Sequence, residues 1–448
     1  MTKKIIKYSI LFIFFFICLI FNFSLFRGDT FANYGFSYAL SIGEVPYKDF
    51  NMVIPLFSPF LYSIGLLINK SIIVFYLEQS FFLVVMFYLL EKFLDKKVYL
   101  FLTILCIAWP VSMTTVIFPG YNFICFLLLL LLVWCEESKK SDYIIGVILG
   151  LIFCTKQTIG ISLFIPTFII LFKSYKRFLK RLVGYIIPIC IMFLYLILTK
   201  SFYNFIDLCF LGLFSFGNNN HAFSIFNILL FAVGIVYILY RIFKDKKNII
   251  NYYFLFFSVV SLPIIDYYHI ALFLLGTIFL IIRNIRFNDK YYKFIYIILC
   301  TLFFIDGVMI LLFLNNPVIA NFNNFPLYVV TDNYRNNISD LNNFLANTDD
   351  NIEKVFLLRG SENYMFRIMN DEKIGYYDLP NHGNYGYNGE EKIVNDISKM
   401  KNKLFIVDSS LCVNKDDKYQ QYICDFKDAA INNSKLIYNV GNFEVYCR

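Results

Sequence analysis

The hydrophobic pattern of the chain is dominated by long apolar runs rather than by the strict alternation or narrow stripes of soluble proteins. The hydrocarbon core of a bilayer is about 30 Å thick, and about 20 apolar residues in a helix cross it. About eleven runs are candidates for such crossings: 5–26, 71–93, 98–117, 121–135, 142–155, 159–172, 182–199, 223–240, 249–264, 270–282 and 293–313. The pattern predicts a polytopic α-helical membrane protein with about 11 transmembrane helices.

The chain changes character after residue 314. Polar residues become frequent there, and β-type runs alternate with helical stretches: 354–358, 403–408, 435–438 and 443–446 against about 336–347, 389–401 and 417–431. This predicts a membrane domain at 1–314 and a small C-terminal α/β domain at 315–448. An odd number of crossings from a cytoplasmic N-terminus places this second domain outside the cytoplasm.

Two apolar segments need a separate interpretation. The stretch 53–68 contains Pro55 and Pro59, and it is expected to be an interfacial or re-entrant piece of the outer loop 27–70 rather than a span. A single helix over 142–172 would be about 46 Å long, too long for one crossing. Two short spans that meet at Lys156 are therefore predicted.

Composition and charge narrow the class of protein. Hydrophobic residues make up 59% of the chain and charged residues 16%, which excludes a disordered or collagenous chain and disfavours a cytosolic enzyme. The formal net charge of +8 would suit nucleic acid. Under the predicted topology, however, most Lys and Arg residues before residue 314 face the cytoplasm, which the positive-inside rule explains. No nucleic-acid partner is therefore expected.

The cysteines and short motifs indicate little cofactor chemistry. Most of the 11 cysteines lie in or beside apolar runs, where a free thiol behaves as a small apolar residue. Cys412 and Cys424 flank one loop, and the sequence leaves open whether they pair in an oxidising compartment. No CxxC, HExxH, P-loop, GxGxxG or nucleophile elbow occurs, so no cofactor and no zinc site are expected. A divalent metal remains open.

The outer loop carries the candidate chemistry. It opens with Arg27-Gly28-Asp29-Thr30 and continues, after a helical stretch, with Gly43-Glu44-Val45-Pro46-Tyr47-Lys48-Asp49-Phe50. This order resembles the GT-C superfamily of integral-membrane glycosyltransferases, near the bacterial protein O-mannosyltransferases and aminoarabinose transferases. In that family an Asp follows the first span, and a Gly-x-x-Pro-Tyr-x-Asp-Phe element comes about twenty residues later.

Two further motifs are similar to those of relatives. Gly160 follows Lys156-Gln157-Thr158, and Asp266-Tyr-Tyr-His269 is similar to an Asp-x-x-His element. The sequence Phe118-Pro119-Gly120-Tyr121 lacks the second acidic residue that many relatives carry, which leaves the acceptor type and any metal dependence open.

The resemblance implies an enzyme that moves a sugar from a polyprenyl-phosphate donor to an envelope glycan, lipid or protein acceptor. The reaction would take place on the outer face of the bacterial plasma membrane. A carboxylate must take the proton of the attacking hydroxyl, and fixed cations must stabilise the departing phosphate. The implied catalytic residues are Asp29, as general base, and Asp49; the implied phosphate-binding residues are Arg27, Lys48 and Lys156; the implied substrate-binding residues are Asp266 and His269.

Alternative interpretations remain for five of these residues and for the function. Asp29 could cap a helix, Asp49 could close a turn, Lys156 could extend to the membrane interface, and Asp266 could bond only to His269. Alternative functions are a polymerase of lipid-linked oligosaccharides and a non-enzymatic transporter or flippase. The terminal domain disfavours a polymerase, and the absence of an internal repeat disfavours a transporter.

Overall fold

The computed structural model describes residues 2–22, 27–108, 120–171, 174–213, 225–260, 267–285, 291, 293–302, 317–348, 352–358, 362–378, 384–387, 389–410, 412 and 418–448. Its N-terminal part is helical. The helices are α1 (Thr2–Asn22), α2 (Arg27–Ser41), α3 (Phe57–Leu66), α4 (Ile72–Leu94), α5 (Lys97–Ala108), α6 (Tyr121–Glu137), α7 (Asp142–Thr155), α8 (Gln157–Leu171), α9 (Tyr175–Leu198), α10 (Phe202–Ile206), α11 (Ile225–Lys244), α12 (Ile249–Val259), α13 (Tyr267–Asn284) and α14 (Lys293–Leu302). A π-helical turn, Asp207–Leu211, directly follows α10.

The predicted polytopic membrane fold with about 11 spans is wrong. Among the described residues, only α4 and α9 are long and apolar enough to cross a membrane. Helix α4 is half buried inside the protein, whereas α9 is mostly exposed. What the structure contains is a mostly helical protein with two candidate spans and a small mixed sheet near the C-terminus.

The physical reason lies in helix length and in what covers the apolar side chains. Within the described residues, helices α5, α7 and α8 have 12, 14 and 15 residues, which at 1.5 Å per residue is about 18–23 Å. Helix α6 buries most of its apolar side chains between Phe123 and Cys135. Much of the apolar sequence therefore packs against other protein side chains, a possibility that run length alone does not distinguish from lipid contact.

Helices α7 and α9 approach each other closely. A Cβ atom at Gly146 on α7 would lie 2.2 Å from the carbonyl oxygen of Arg181 and 2.9 Å from the Cα of Gly184, both on α9. The buried Arg181 side chain donates hydrogen bonds to both carboxylate oxygens of Glu136 (2.5 and 3.0 Å) and to Oδ1 of Asp142 (2.8 Å). This cluster ties the end of α6 and the start of α7 to α9.

Within the described residues, the strands lie in the segment 317–448. We call this segment the C-terminal unit. Strands β1 (Pro317–Phe322) and β2 (Phe325–Thr331) form an antiparallel hairpin. A second sheet has the order β3-β4-β6-β5, with β3 (Glu353–Leu357) parallel to β4 (Lys403–Asp408), and with β6 (Phe443–Cys447) antiparallel to both β4 and β5 (Lys435–Val440). The helices of the unit are α15 (Asp332–Ala346), α16 (Glu362–Met369), α17 (Gly389–Lys399) and α18 (Lys418–Ile431).

Side chains along β3 and β4 alternate between two buried faces, as a pleated strand requires. Val355, Leu357 and Val407 belong to a cluster that includes residues of α17 and α18. Phe356 and Ile406 point to the other face and join the main hydrophobic core. The sheet is therefore covered on both sides.

The C-terminal unit packs against α2 and the start of α4. Tyr364 of α16 lies so close to Gly35 that a Cβ atom there would be 2.6 Å from the ring Cγ. The ring centroids of Phe31 and Phe325 are 5.7 Å apart. The backbone N–H of Ile72 donates a hydrogen bond to the carbonyl of Asn324, at 2.9 Å. Helix α2 therefore contacts both parts of the molecule.

The cysteine pairing that the sequence left open is present. Cys412 and Cys424 form a disulfide, which joins the region before α18 to the helix itself. Cys447, at the end of β6, is a free and half-buried thiol.

Candidate functional site

The first turn of α2 carries two of the predicted site residues. The helix begins at Arg27, so Arg27 and Asp29 both lie in this turn, and the side chains of both are outside the described residues. Asn33 follows Asp29 by one turn, and residues four apart lie on the same face of a helix. The Asn33 side chain is buried. We call this side of α2, defined by Asp29 and Asn33, the Asp29 face.

A helix break at Lys156 places a cation against the start of α6. Lys156 has an extended backbone between α7 and α8, as the predicted break requires, and its Nζ donates to Oδ1 of Asn122 at 3.2 Å. The same Nζ lies 5.2 Å from the ring centroid of Tyr121. The preceding residue, Gly120, abuts α2, because a Cβ atom there would be 3.1 Å from Nδ2 of Asn33. The start of α6 thus contacts Lys156 and the Asp29 face.

The second predicted motif lies in the segment 43–54, which connects α2 towards α3. Tyr47, Phe50 and Met52 of this segment are fully buried. The Tyr47 hydroxyl donates to the carbonyl of Ile54 at 2.7 Å, and Nδ2 of Asn204 donates to the carbonyl of Tyr47 at 2.9 Å. One hydrogen bond within the segment 43–54 and one from Asn204 therefore hold it in place. The segment is not a solvated loop.

Lys48 and Asp49 form the exposed tip of this segment. Oδ2 of Asp49 accepts a hydrogen bond from the backbone N–H of Val45 at 2.7 Å, which closes the turn. This contact agrees with the alternative interpretation, in which Asp49 closes a turn. A catalytic role for Asp49 stays a prediction.

Asp29 and Asp49 lie at opposite ends of α2. The helix has 15 residues and is therefore about 22 Å long. Asp29 is in its first turn, whereas Asp49 is bonded to Val45, just beyond the last turn. The length of α2 therefore separates the backbone positions of these two residues.

Hydrogen bonds connect the Lys156 break to the segment 43–54. The side-chain amide of Gln157 donates to the carbonyl of Cys209 in the π-helical turn. Sγ of Cys209 lies 3.9 Å from the carbonyl oxygen of Met52. These contacts link Gln157, next to Lys156, through Cys209 to Met52 of the segment 43–54.

Sequence reasoning missed the buried carboxylate of Glu44. This side chain is 6% exposed, and Oε2 accepts a hydrogen bond from the backbone N–H of Ile374 at 3.1 Å. Burial raises the pKa of Glu44 to about 7, and the negative charge of Asp49 adds to the effect. No local pattern could have identified Glu44, because its cover comes from the C-terminal unit.

The side chains of the two remaining predicted residues, Asp266 and His269, are outside the described residues. Asp266 lies outside the described residues, and His269 lies in α13 with its side chain outside them. Within the described ranges, no group of three or more His, Cys, Asp or Glu side chains could hold a metal ion.

Comparison with known proteins gives no relative. No family model matches the chain, and neither the curated proteins nor the solved structures include a significant match. The resemblance to membrane glycosyltransferases therefore depends on the short motifs alone.

Proposed function

We propose that this protein is a glycosyltransferase that moves a sugar from a polyprenyl-phosphate donor to an envelope glycan, lipid or protein acceptor at a bacterial plasma membrane. The observation that carries the proposal is that the start of α6 contacts both Lys156, through Asn122, and the Asp29 face of α2, through Gly120 and Asn33. A carboxylate and a cation on neighbouring elements are what this transfer requires.

In the proposed reaction Asp29 is the general base. Its carboxylate takes the proton of the acceptor hydroxyl as the oxygen bonds to the anomeric carbon. The bond from that carbon to the phosphate oxygen breaks, and the electron pair leaves with the lipid phosphate. Arg27 and Lys156 would stabilise the developing negative charge, since Arg suits bidentate and Lys single-point contact with phosphate.

The remaining predicted residues have secondary roles in this proposal. Lys48 and Asp49 lie at the far end of α2, where they would contact the acceptor or a more distant part of the donor. Asp266 and His269 are kept as candidate substrate contacts on the resemblance of their motif alone.

Exposed apolar surfaces support a location at a membrane. Ile191 and Leu198 on α9 are 66% and 73% exposed, although soluble proteins seldom expose contiguous apolar patches. Phe60 of α3 and Ile68, just after it, are also exposed. These surfaces suit contact with lipid. The polyprenyl tail of the donor would then lie in the bilayer while its head group reaches the protein.

The disulfide supports a C-terminal unit outside the cytoplasm. Disulfides persist mainly in oxidising compartments, and Cys412 is bonded to Cys424. The proposal therefore assigns the acceptor to the extracytoplasmic side.

A transfer assay tests the proposal. Membranes that contain the protein would receive radiolabelled polyprenyl-phosphate sugar, and Asp29→Asn would be compared with wild type at equal abundance. We expect a loss of roughly 100-fold or more, because general-base catalysis contributes about 10²–10⁴. Asp245→Asn, an exposed carboxylate between α11 and α12, is the matched control and should retain full transfer.

Three outcomes would contradict the proposal. Full transfer by Asp29→Asn would remove the assigned base. Activity only with lipid-linked oligosaccharide donors would identify a polymerase. No transfer from any lipid-linked donor by the wild type would favour a transporter.

A further inference from the structure

A cavity in the C-terminal unit lies apart from the proposed reaction site. Its volume is about 200 Å³, and it is lined by Tyr334, Asn337, Glu362, Asp408, Ser410, Asn442 and Phe443. Sites for drug-sized ligands have about 300–1,000 Å³. This cavity is smaller and suits a ligand of about one sugar ring.

The cavity occupies the edge of the sheet where open α/β sheets bind ligands. Strands β3 and β4 are parallel, so their carboxyl ends meet at one edge. Asp408 is the last residue of β4, and Glu362 begins α16, the helix after β3. Ligands of open α/β sheets bind outside the carboxyl ends of the strands.

Hydrogen bonds hold four of the polar lining residues, Asp408, Ser410, Tyr334 and Glu362. Oδ1 of Asp408 accepts hydrogen bonds from the backbone N–H and the Oγ of Ser410, at 2.8 and 2.7 Å. The Tyr334 hydroxyl donates to Oε1 of Glu362 at 2.6 Å. Within the described part of the chain, Oδ2 of Asp408 has no hydrogen-bond donor, so this oxygen is available to a ligand hydroxyl.

The lining selects for a neutral ligand. The seven lining residues that the structure describes include two carboxylates, two side-chain amides and a serine hydroxyl, and none of these seven is basic. An anion such as phosphate would be repelled. Vicinal hydroxyls suit both carboxylates, which accept, and amides, which donate and accept. The rings of Tyr334 and Phe443, with centroids 6.3 Å apart, supply an apolar wall for the C–H face of a sugar.

We propose that this cavity binds one neutral sugar unit through Asp408 and Asn337, with the sugar packed against Tyr334 and Phe443. Binding of the sugar in this cavity does not depend on catalysis at the proposed reaction site. The further assignment, that the bound sugar belongs to the acceptor glycan, rests on the proposed glycosyltransferase function.

Ligand-observed saturation-transfer NMR on the full-length protein in detergent tests the binding. The probes are the methyl glycosides of glucose, galactose, mannose and N-acetylglucosamine, with glucose 6-phosphate as the anionic comparison. We expect at least one neutral glycoside to bind wild type. Binding should weaken about tenfold or more in Asp408→Asn and in Asn337→Ala, because each loses a hydrogen bond to the ligand.

The controls separate binding from folding and from catalysis. Asp425→Asn, an exposed carboxylate on α18 outside the cavity, should bind as wild type does. Asn337→Ala serves if Asp408→Asn fails to fold. Asp29→Asn should keep glycoside binding even if it loses transfer. Failure of the proposed transferase function can therefore be distinguished from failure of sugar binding in the cavity.

Three results would overturn the proposal. The first is no binding of any of the four glycosides to wild type. The second is glycoside binding that both cavity variants retain unchanged. The third is preferential binding of glucose 6-phosphate with the same dependence on Asp408, which would identify an anion site instead.

Discussion

Two buried charged side chains, Arg181 in the helical part and Glu44 at the contact with the C-terminal unit, have very different surroundings. Arg181 is held by the carboxylates of Glu136 and Asp142 and by the Tyr253 hydroxyl, at 3.0 Å. Among the described residues, Glu44 accepts one hydrogen bond, from the backbone N–H of Ile374 at 3.1 Å. Opposite charges and hydrogen bonds must replace lost water around a buried charge. Arg181 is therefore a fixed charge, whereas Glu44 exchanges its proton near neutral pH.

The largest effect is expected from removing Arg181. Arg181→Met would leave Glu136 and Asp142 without their buried partner, and we expect a loss of about 3–5 kcal/mol in the free energy of unfolding. Arg177 also contacts Asp142, at 3.1 Å, but its side chain is 53% exposed. Arg177→Met should cost less than about 1 kcal/mol. Denaturant titration in detergent measures both, and equal losses would contradict the distinction between them.

An intermediate effect is expected from Glu44→Gln, and it should depend on pH. The folded-state pKa of Glu44 is raised from 4.5 to about 7. The stability that its protonated form contributes is therefore fully present below about pH 4.5 and is lost as the pH rises through 7. Glutamine has no proton to release, so the variant should gain about 1–3 kcal/mol relative to wild type between pH 5 and pH 8.

The Glu44 prediction is checked by unfolding free energies at several pH values. Glu391→Gln, an exposed carboxyl on α17, is the control and should follow the wild-type pH profile. Parallel pH profiles for wild type and Glu44→Gln would show that Glu44 remains ionised when buried.

The smallest effect is expected at Asp49. Asp49→Asn keeps an oxygen that can accept from Val45 N–H, and surface substitutions usually change stability by less than about 0.5 kcal/mol. Thermal unfolding in detergent checks this. A large loss of stability would show that Asp49 does more than close its turn. A loss of transfer at unchanged stability would assign it a role in substrate binding.

Local patterns in the sequence predicted local structure well. Strands β3, β4, β5 and β6 lie where alternating and β-branched runs indicated them, and the helix breaks at Lys156. Both features depend on residues that are neighbours in the chain, so periodicity is informative.

Features that depend on tertiary contacts were not predictable in this way. The apolar runs of α5 to α8 were interpreted as spans because the sequence cannot tell burial in protein from exposure to lipid. The burial of Glu44 depends on Ile374, which is distant in sequence, so no local pattern indicates it. The cavity near Asp408 likewise combines residues from several separate elements.

The position of a bound lipid phosphate tests the central claim most directly. An electron cryomicroscopy structure of the protein with a polyprenyl phosphate would give this position. The proposed function predicts phosphate density about 3 Å from Nζ of Lys156 and next to the Asp29 face of α2. Density at the Lys48 and Asp49 end of α2, or no density near the Asp29 face at saturating lipid, would contradict it.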